Sequence, residues 1–193
     1  NDTNQFIQGE KITKDLNPIY GSIQKIHTME NNLLALCEDK CLKVLTNKDA
    51  LFNADGNPQL TATNRVLGDA TPFSGDYGIS QNPESFAYYG FKSFFTDTKR
   101  GVVVRLSQNG LTPISEIGMK SYFSENLGTR TMSAVGSYDS KKQDYNLTIT
   151  NNISRIDRGA NMVEGTTVTY SISSQGWTSF KSWIKENGFS LSN

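Results

Sequence analysis

The sequence is poor in the side chains that most often carry chemistry. Its 193 residues include one histidine and two cysteines. A single histidine excludes a metal site built from several histidines of this chain. An excess of positive charge is also lacking, because 19 Lys and Arg face 19 Asp and Glu. A protein that grips nucleic acid by neutralising phosphates needs such an excess, so that class is disfavoured. There is no apolar run long enough to cross a bilayer as a helix, and no basic-then-apolar segment at the start. Nucleophile-elbow, P-loop and dinucleotide-binding glycine patterns are missing too. With 36% hydrophobic and 20% charged residues, the composition is that of a folded chain and not a charged disordered tail.

The residues that are present describe short strands broken by turn chemistry. Ile23 to Thr28 reads as a strand with alternating faces, and His27 on it as a hydrogen-bonded strand residue. Cys37 and Cys41 flank Glu38-Asp39-Lys40 in two short apolar runs. With no further ligands for zinc, they read as small apolar residues; a disulfide across the hairpin is the alternative in an oxidising compartment. Residues Val102–Leu106, Ser107-Gln-Asn-Gly110 and Leu111–Ser115 form a hairpin signal around Asn109-Gly110, with Pro113 marking an edge strand. Met132–Tyr138 and Tyr145–Thr150 form a second hairpin. In it Tyr145, Leu147 and Ile149 alternate with Asn146, Thr148 and Thr150, which predicts one buried and one solvated face. Val168, Tyr170 and Ile172 share the face of a further strand, and Asn151–Gly165 reads as a polar loop before it. Trp177–Trp183 fits either a helix or a strand. The strand is favoured, with Trp177, Ser179, Lys181 and Trp183 on one face.

Helical signals are few. Asn82-Pro83-Glu84-Ser85 carries a cap and a first-turn proline, with Gly90 placed to end it. Ser115 is placed to cap a helix over residues 116–127, striped by Ile117, Tyr122, Phe123 and Leu127 and weakened by Gly118. Asn53–Gln59 is a turn-rich connection. Most of the dense aromatic cluster Phe86, Tyr88, Tyr89, Phe91, Phe94 and Phe95 is expected in a core, with a rim Tyr serving an interface.

A strand-acid-turn-strand unit recurs around Asp39, Asp97 and Asp139. The last two are 42 residues apart and the first two 58. Repeats of roughly this length, built from four short strands, mark propeller blades. The expected fold is therefore mainly β: propeller-like, or several antiparallel sheets, with one or two short helices. Residues 1–19 read as a linker or arm and 20–193 as a β-rich domain. Its blade-like repeats lie at approximately 20–50, 86–127 and 131–183. A start at Asn1 and an abrupt end at Asn193 lead to the expectation of a portion of a longer polypeptide.

No catalytic, cofactor-binding or metal-binding residues are assigned from the sequence. Glu38 and Asp39 are turn residues first. Asp139-Ser-Lys-Lys-Gln-Asp144 carries two lysines between its acids and reads as a hairpin tip, not a calcium loop. Asn146-Leu-Thr148 and Asn152-Ile-Ser154 match the glycosylation pattern, which matters only in a eukaryotic secreted protein. Lys99-Arg100 and Lys141-Lys142 read as solvated basic tips.

Several short motifs occur in one order: Gly21–Thr28, Glu38–Lys40, Gly78–Phe86, Phe95-Thr-Asp97 with Arg100-Gly-Val102, and Arg105-Leu-Ser107 with Asn109-Gly-Leu111. Tyr138-Asp139 and Gly176–Lys181 follow. Together they resemble a family of large structural proteins of tailed bacteriophages. That family comprises the tail muzzle or nozzle proteins of crAss-like phages and related virion proteins of marine phages. The resemblance covers roughly residues 20–193; Cys37 and Cys41 stand outside it. It implies a non-enzymatic subunit of a homo-oligomeric ring in the virion tail, in contact with other tail proteins. Such a ring closes or lines the DNA exit channel, lets the genome pass without sequence-specific binding, and can touch the host surface. Neutral net charge suits a channel that must release DNA. A host glycan- or receptor-binding β module is the alternative, and a polysaccharide-cleaving tail enzyme a more distant one.

Overall fold

The β-branched and aromatic runs pair with their sequence neighbours, which is what short polar turns between strands permit. The computed structural model describes residues 13–30, 32–52, 58–128, 132–154 and 161–188. These hold twelve strands in three four-stranded antiparallel sheets and one α-helix. Each sheet is a meander in which every strand lies beside its predecessor. The chain divides into two compact units, residues 1–73 and 74–193.

The first unit holds the first sheet: β1 (Ile23–Met29), β2 (Asn32–Cys37), β3 (Cys41–Phe52) and β4 (Pro58–Pro72). Ala35, Cys37, Leu42 and Val44 form a core on one face, against which Leu16, Tyr20 and Leu67 pack. Tyr20 closes a 3-10 turn, Pro18–Tyr20, whose first backbone donor is capped by Asn17. Leu34 and Leu36, on the opposite face of β2, are buried as well. Most of the Asn53–Gln59 connection lies outside the described residues.

Cys37 and Cys41 are buried, are not joined in a disulfide, and fill space in the first sheet. Burial, and secondarily Glu38, pushes the Cys37 thiol up from its ordinary range. Because both side chains are shielded from solvent, both cysteines should resist a thiol reagent at pH 8 in the folded protein and react fully in denaturant. Fast labelling before unfolding would show that this sheet opens locally.

The second unit holds two sheets. The second sheet comprises β5 (Ala87–Tyr89), β6 (Lys92–Asp97), β7 (Val102–Ser107) and β8 (Gly110–Pro113). The third comprises β9 (Met132–Asp139), β10 (Asp144–Ser154), β11 (Asn161–Ser171) and β12 (Gly176–Lys181). One core joins them. Phe94 and Val103 of the second sheet meet Tyr138, Tyr145, Leu147, Val168 and Tyr170 of the third, with Phe123 and Leu127 from helix α1 (Lys120–Leu127). The Phe94 ring stacks on Tyr145 at 4.9 Å and on Tyr138 at 5.8 Å. Phe95, Val104 and Leu106, on the other face of the second sheet, are fully buried too.

Local details depart from the sequence expectations in instructive ways. The hairpin near Asn109 turns through Gln108 and Asn109, and Gly110 takes the left-handed conformation (φ +92°) as the first residue of β8. β8 is an edge strand that ends at Pro113, as the missing N–H requires. Pro83–Ser85 forms only a 3-10 turn, because the Asn82 side chain reaches Thr96 Oγ1 (3.3 Å) instead of capping it. Gly90 does not end that turn; it serves the tight turn between β5 and β6. Ser115 does not cap α1. Left-handed Gly118 (φ +76°) separates a 3-10 turn at Ile114–Glu116 from the helix and leaves Ile117 exposed. The supposed loop Asn151–Gly165 is largely strand, since β10 runs to Ser154 and β11 starts at Asn161; residues 155–160 lie outside the described residues.

The aspartate repeat also changes meaning. Asp97 ends the second strand of its sheet, whereas Asp139 ends the first strand of its own, so their 42-residue spacing is not a sheet-to-sheet period. Asp39 and Asp97 are the nearer match, Asp97 as the last residue of a second strand and Asp39 two residues past the end of one.

Candidate functional site

Three groupings of side chains outside the apolar cores have the potential for chemistry or recognition. The first centres on Asp97, a fully buried carboxylate at the end of β6. Its oxygens accept from Gly78 N (3.2 Å), Ser80 Oγ (3.0 Å) and Arg100 N (3.2 Å), and from the Arg100 guanidinium (2.8 Å). Ser80 is held in the left-handed region (φ +53°), and its hydroxyl also accepts from Lys99 N (3.2 Å). The basic pair Lys99-Arg100 is therefore no free solvated tip; Arg100 neutralises a buried acid. All four oxygen contacts run to the protein's own loop and turn, so this node pins residues 78–86 over the second sheet. Asp139 caps its own turn through Lys141 N (3.0 Å) and Lys142 N (3.1 Å), which is the hairpin-tip role expected for it.

The second grouping lies on the face of the third sheet that points away from the shared core. Alternation predicted a solvated face here, yet Asn146, Thr148, Thr167 and Thr169 are buried. Residues 182–188 supply the reason. Trp183 O accepts from Thr167 Oγ1 (2.7 Å), and the Lys185 ammonium hydrogen-bonds Ser137 Oγ and Asn146 O (3.3 Å). The Asn146 side-chain oxygen accepts from Thr169 Oγ1 (2.8 Å) and from Lys181 Nζ (3.1 Å). Burial first, and the charge of Lys181 second, pushes Lys185 down to about 8. The glycosylation pattern at Asn146 thus falls on an inaccessible amide in mid-strand; the side chain of Asn152 lies outside the described residues.

Lys181 reaches this face because β12 carries an irregularity. Tyr170 pairs with Trp177, but Thr169 pairs with Ser179, so one extra residue sits between them. The bulge sends Trp177 to the core, where it packs tilted against Phe123 and edge-on to Tyr170 and donates to Ile114 O (3.0 Å). Ser179 and Lys181 turn to the opposite face. The strand assignment holds as far as Lys181, with Trp183 beyond the strand's end, and Trp177 does not share a face with Ser179 and Lys181. The meeting of Asn146 with Lys181 and Lys185 was missed from the sequence for this reason.

The sign of the Lys185 shift gives a testable pH dependence. The folded protein binds this proton less tightly than the unfolded chain does, so stability rises with pH from about 8 toward the ordinary lysine range near 10.5. Tyr138, pushed up to about 12, acts in the opposite sense once pH passes the ordinary tyrosine value near 10. Denaturant midpoints should increase between pH 7.5 and 9.5, and Lys185→Met should flatten that rise. An equally steep rise in the variant would assign the effect elsewhere.

The third grouping is the β5–β6 turn, where Tyr88, Tyr89 and Phe91 are each about half exposed. Tyr89 stacks on Tyr138 at 4.8 Å, and the carboxylates of Asp144 and Asp139 act on Tyr138. Of the other aromatics, Phe94 and Phe95 are core residues and Phe86 is half-buried, so fewer of the six lie in a core than expected, because the β5–β6 turn carries Tyr88, Tyr89 and Phe91 outward. In the first unit, a pocket of about 330 Å³ is lined by Lys14, Asp15, Asn17, Tyr20 and Asp69 among others, with Lys14 and Asp69 paired at 3.7 Å. His27 sits on β1 opposite Leu34, and burial, with Lys25 second, lowers its pKa. Among the described residues, no three His, Cys, Asp or Glu side chains are grouped to hold a metal ion. No protein-family model matches the chain, and no curated protein matches it significantly.

Proposed function

We propose that the chain is a structural subunit of a tailed-bacteriophage tail, of the muzzle or nozzle type, that closes or lines the DNA exit channel. The observation that carries this reading is the succession of three four-stranded antiparallel meanders in chain order. A meander of four short strands is the building unit of a propeller blade, and such a unit must stack to bury its faces. The second and third sheets bury one face each in a common aromatic core, which supports this reading. The ordered short motifs of the sequence supply the link to phage virions. In this reading copies of the chain form a ring with other tail proteins, and the neutral charge lets DNA pass without being held. The test is electron microscopy and mass spectrometry of purified particles. The polypeptide should be present in the virion with ring symmetry at the tail; its absence, or presence without such symmetry, would reject the proposal.

A second reading is favoured by the half-exposed ring of Tyr89, which stacks on Tyr138, itself under the influence of the carboxylates of Asp144 and Asp139. Aromatic faces next to carboxylates can stack on and hydrogen-bond to sugar rings. This would make the same chain a host-glycan-binding module. A glycan array distinguishes the two: binding that is lost in Tyr89→Ala supports recognition, and an empty array rejects it.

A further inference from the structure

We propose that Asn146 and Lys181 form an isopeptide bond, the Lys181 Nζ bonding to Asn146 Cγ with release of ammonia. The inference rests on the third sheet alone and holds whether or not the chain is a tail subunit.

The geometry is that of an amide prepared for attack. Asn146 is buried in mid-strand on β10. Its side-chain oxygen accepts two hydrogen bonds at once, from Thr169 Oγ1 at 2.8 Å and Lys181 Nζ at 3.1 Å. Both donors draw electron density from the carbon, and the Thr169 hydroxyl would hold the charge that develops when the Lys181 nitrogen adds. Lys181 Nζ is therefore already at the reacting group, in the proximity that converts a bimolecular reaction into an intramolecular one.

A primary amine attacks only when neutral. Lys185 supplies the base: its Nζ sits on the main-chain oxygen of the same Asn146 and on Ser137 Oγ. Burial and the neighbouring Lys181 lower its pKa to about 8, so the neutral form is accessible under mildly alkaline conditions. Crowding of two ammonium groups is a general way to free one amine. Lys181 gives its first proton to the mildly alkaline solvent and, now neutral, its nitrogen lone pair forms the new C–N bond; Lys185, also in its neutral form, takes the second proton from that nitrogen. The tetrahedral intermediate carries its charge on the Asn146 oxygen, beside the Thr169 hydroxyl. The former amide nitrogen then leaves as ammonia, taking a proton from Lys185. One amine and one carboxamide become one secondary amide and one ammonia, so no oxidant or co-reactant is needed.

The product would be a covalent strap from β10 to β12 across β11, closing a loop between residues 35 apart in sequence. Such a link cannot be undone by reducing agents. It would hold β12, the edge strand of the third sheet, to its sheet under load.

The experiment is intact-mass and peptide mass spectrometry of the full chain, purified and then incubated at mildly alkaline pH. The expected result is a mass lower by one ammonia and a branched tryptic peptide joining Lys181 to Asn146. Lys181→Arg keeps the positive donor on the Asn146 oxygen but cannot attack in this way, and should show the unmodified mass with an unchanged fold by circular dichroism. An unmodified mass in the parent protein overturns the proposal. So does loss of ammonia without a branched peptide, which would mean that Asn146 has cyclised on its own backbone. A branch at Lys185 in place of Lys181 would overturn the assignment of the nucleophile.

Discussion

Gly136→Ala is expected to destabilise the second unit by at least about 3 kcal/mol, at the upper end of overpacking costs. Gly136 lies in β9 opposite Leu147, and a Cβ there would stand 2.0 Å from the Ser85 carbonyl oxygen. No side-chain rotation can relieve that contact, because the obstacle is backbone. The Ser85 carbonyl is itself committed, since it accepts from Tyr145 Oη at 2.8 Å. The Tyr145 hydroxyl is wholly buried, and burial pushes its pKa far up. Displacing the turn would leave that hydroxyl without its acceptor, which adds about 1–3 kcal/mol. The midpoint of thermal unfolding should fall by roughly 10 °C or more. Tyr145→Phe removes only the hydrogen bond and should cost about 1 kcal/mol. Equal midpoints for Gly136→Ala and the parent protein would show that the 83–85 turn moves away without penalty.

Asp97→Ala is expected to cost about 3–5 kcal/mol, because several donors in a buried loop lose their acceptor together, at about 1–3 kcal/mol each. The loss is not limited to Arg100, whose side chain is about one-third exposed and can turn to water. Gly78 N and Ser80 Oγ would lose their acceptor, and Ser80 would keep a left-handed backbone with nothing to hold it. Arg100→Ala should cost clearly less, because the carboxylate keeps its other three donors. Urea denaturation of both variants tests this order. If Arg100→Ala proved as damaging as Asp97→Ala, the ion pair and not the loop attachment would carry the node.

Much of the secondary structure was legible because its causes are local. Tyr145, Leu147 and Ile149 alternate, and all three are buried on one face. Pro113 marked an edge strand through its missing N–H. Cys37 and Cys41 behave as the small buried residues that their apolar runs suggested. Where two local signals competed, the sequence could not arbitrate. Ser115 looked like a helix cap, but Gly118 took a positive φ and moved the helix start to Lys120.

The candidate sites were far less legible. Asn146 looked like a solvated residue or a glycan acceptor, and Lys181 like the neighbour of Trp177 on one strand face. One extra residue in β12 separates those two faces, and nothing in the local pattern announces it. The buried amide, the two lysines and Thr169 come from three strands and a following segment.

By itself, then, the sequence determined a neutral, strand-rich chain punctuated by turns, with Asp39, Asp97 and Asp139 at strand ends. Period-2 alternation and turn chemistry act over a few residues, so they can be read in order. Only the tertiary structure decided that Gly136 must admit the Ser85 carbonyl. It also decided that Asp97 binds a loop nearly twenty residues upstream, and that Asn146 faces two lysines from more than thirty residues downstream. Those contacts depend on which sheet faces pack and where a strand bulges, and packing is a property of the assembled sheets that no single stretch of sequence carries.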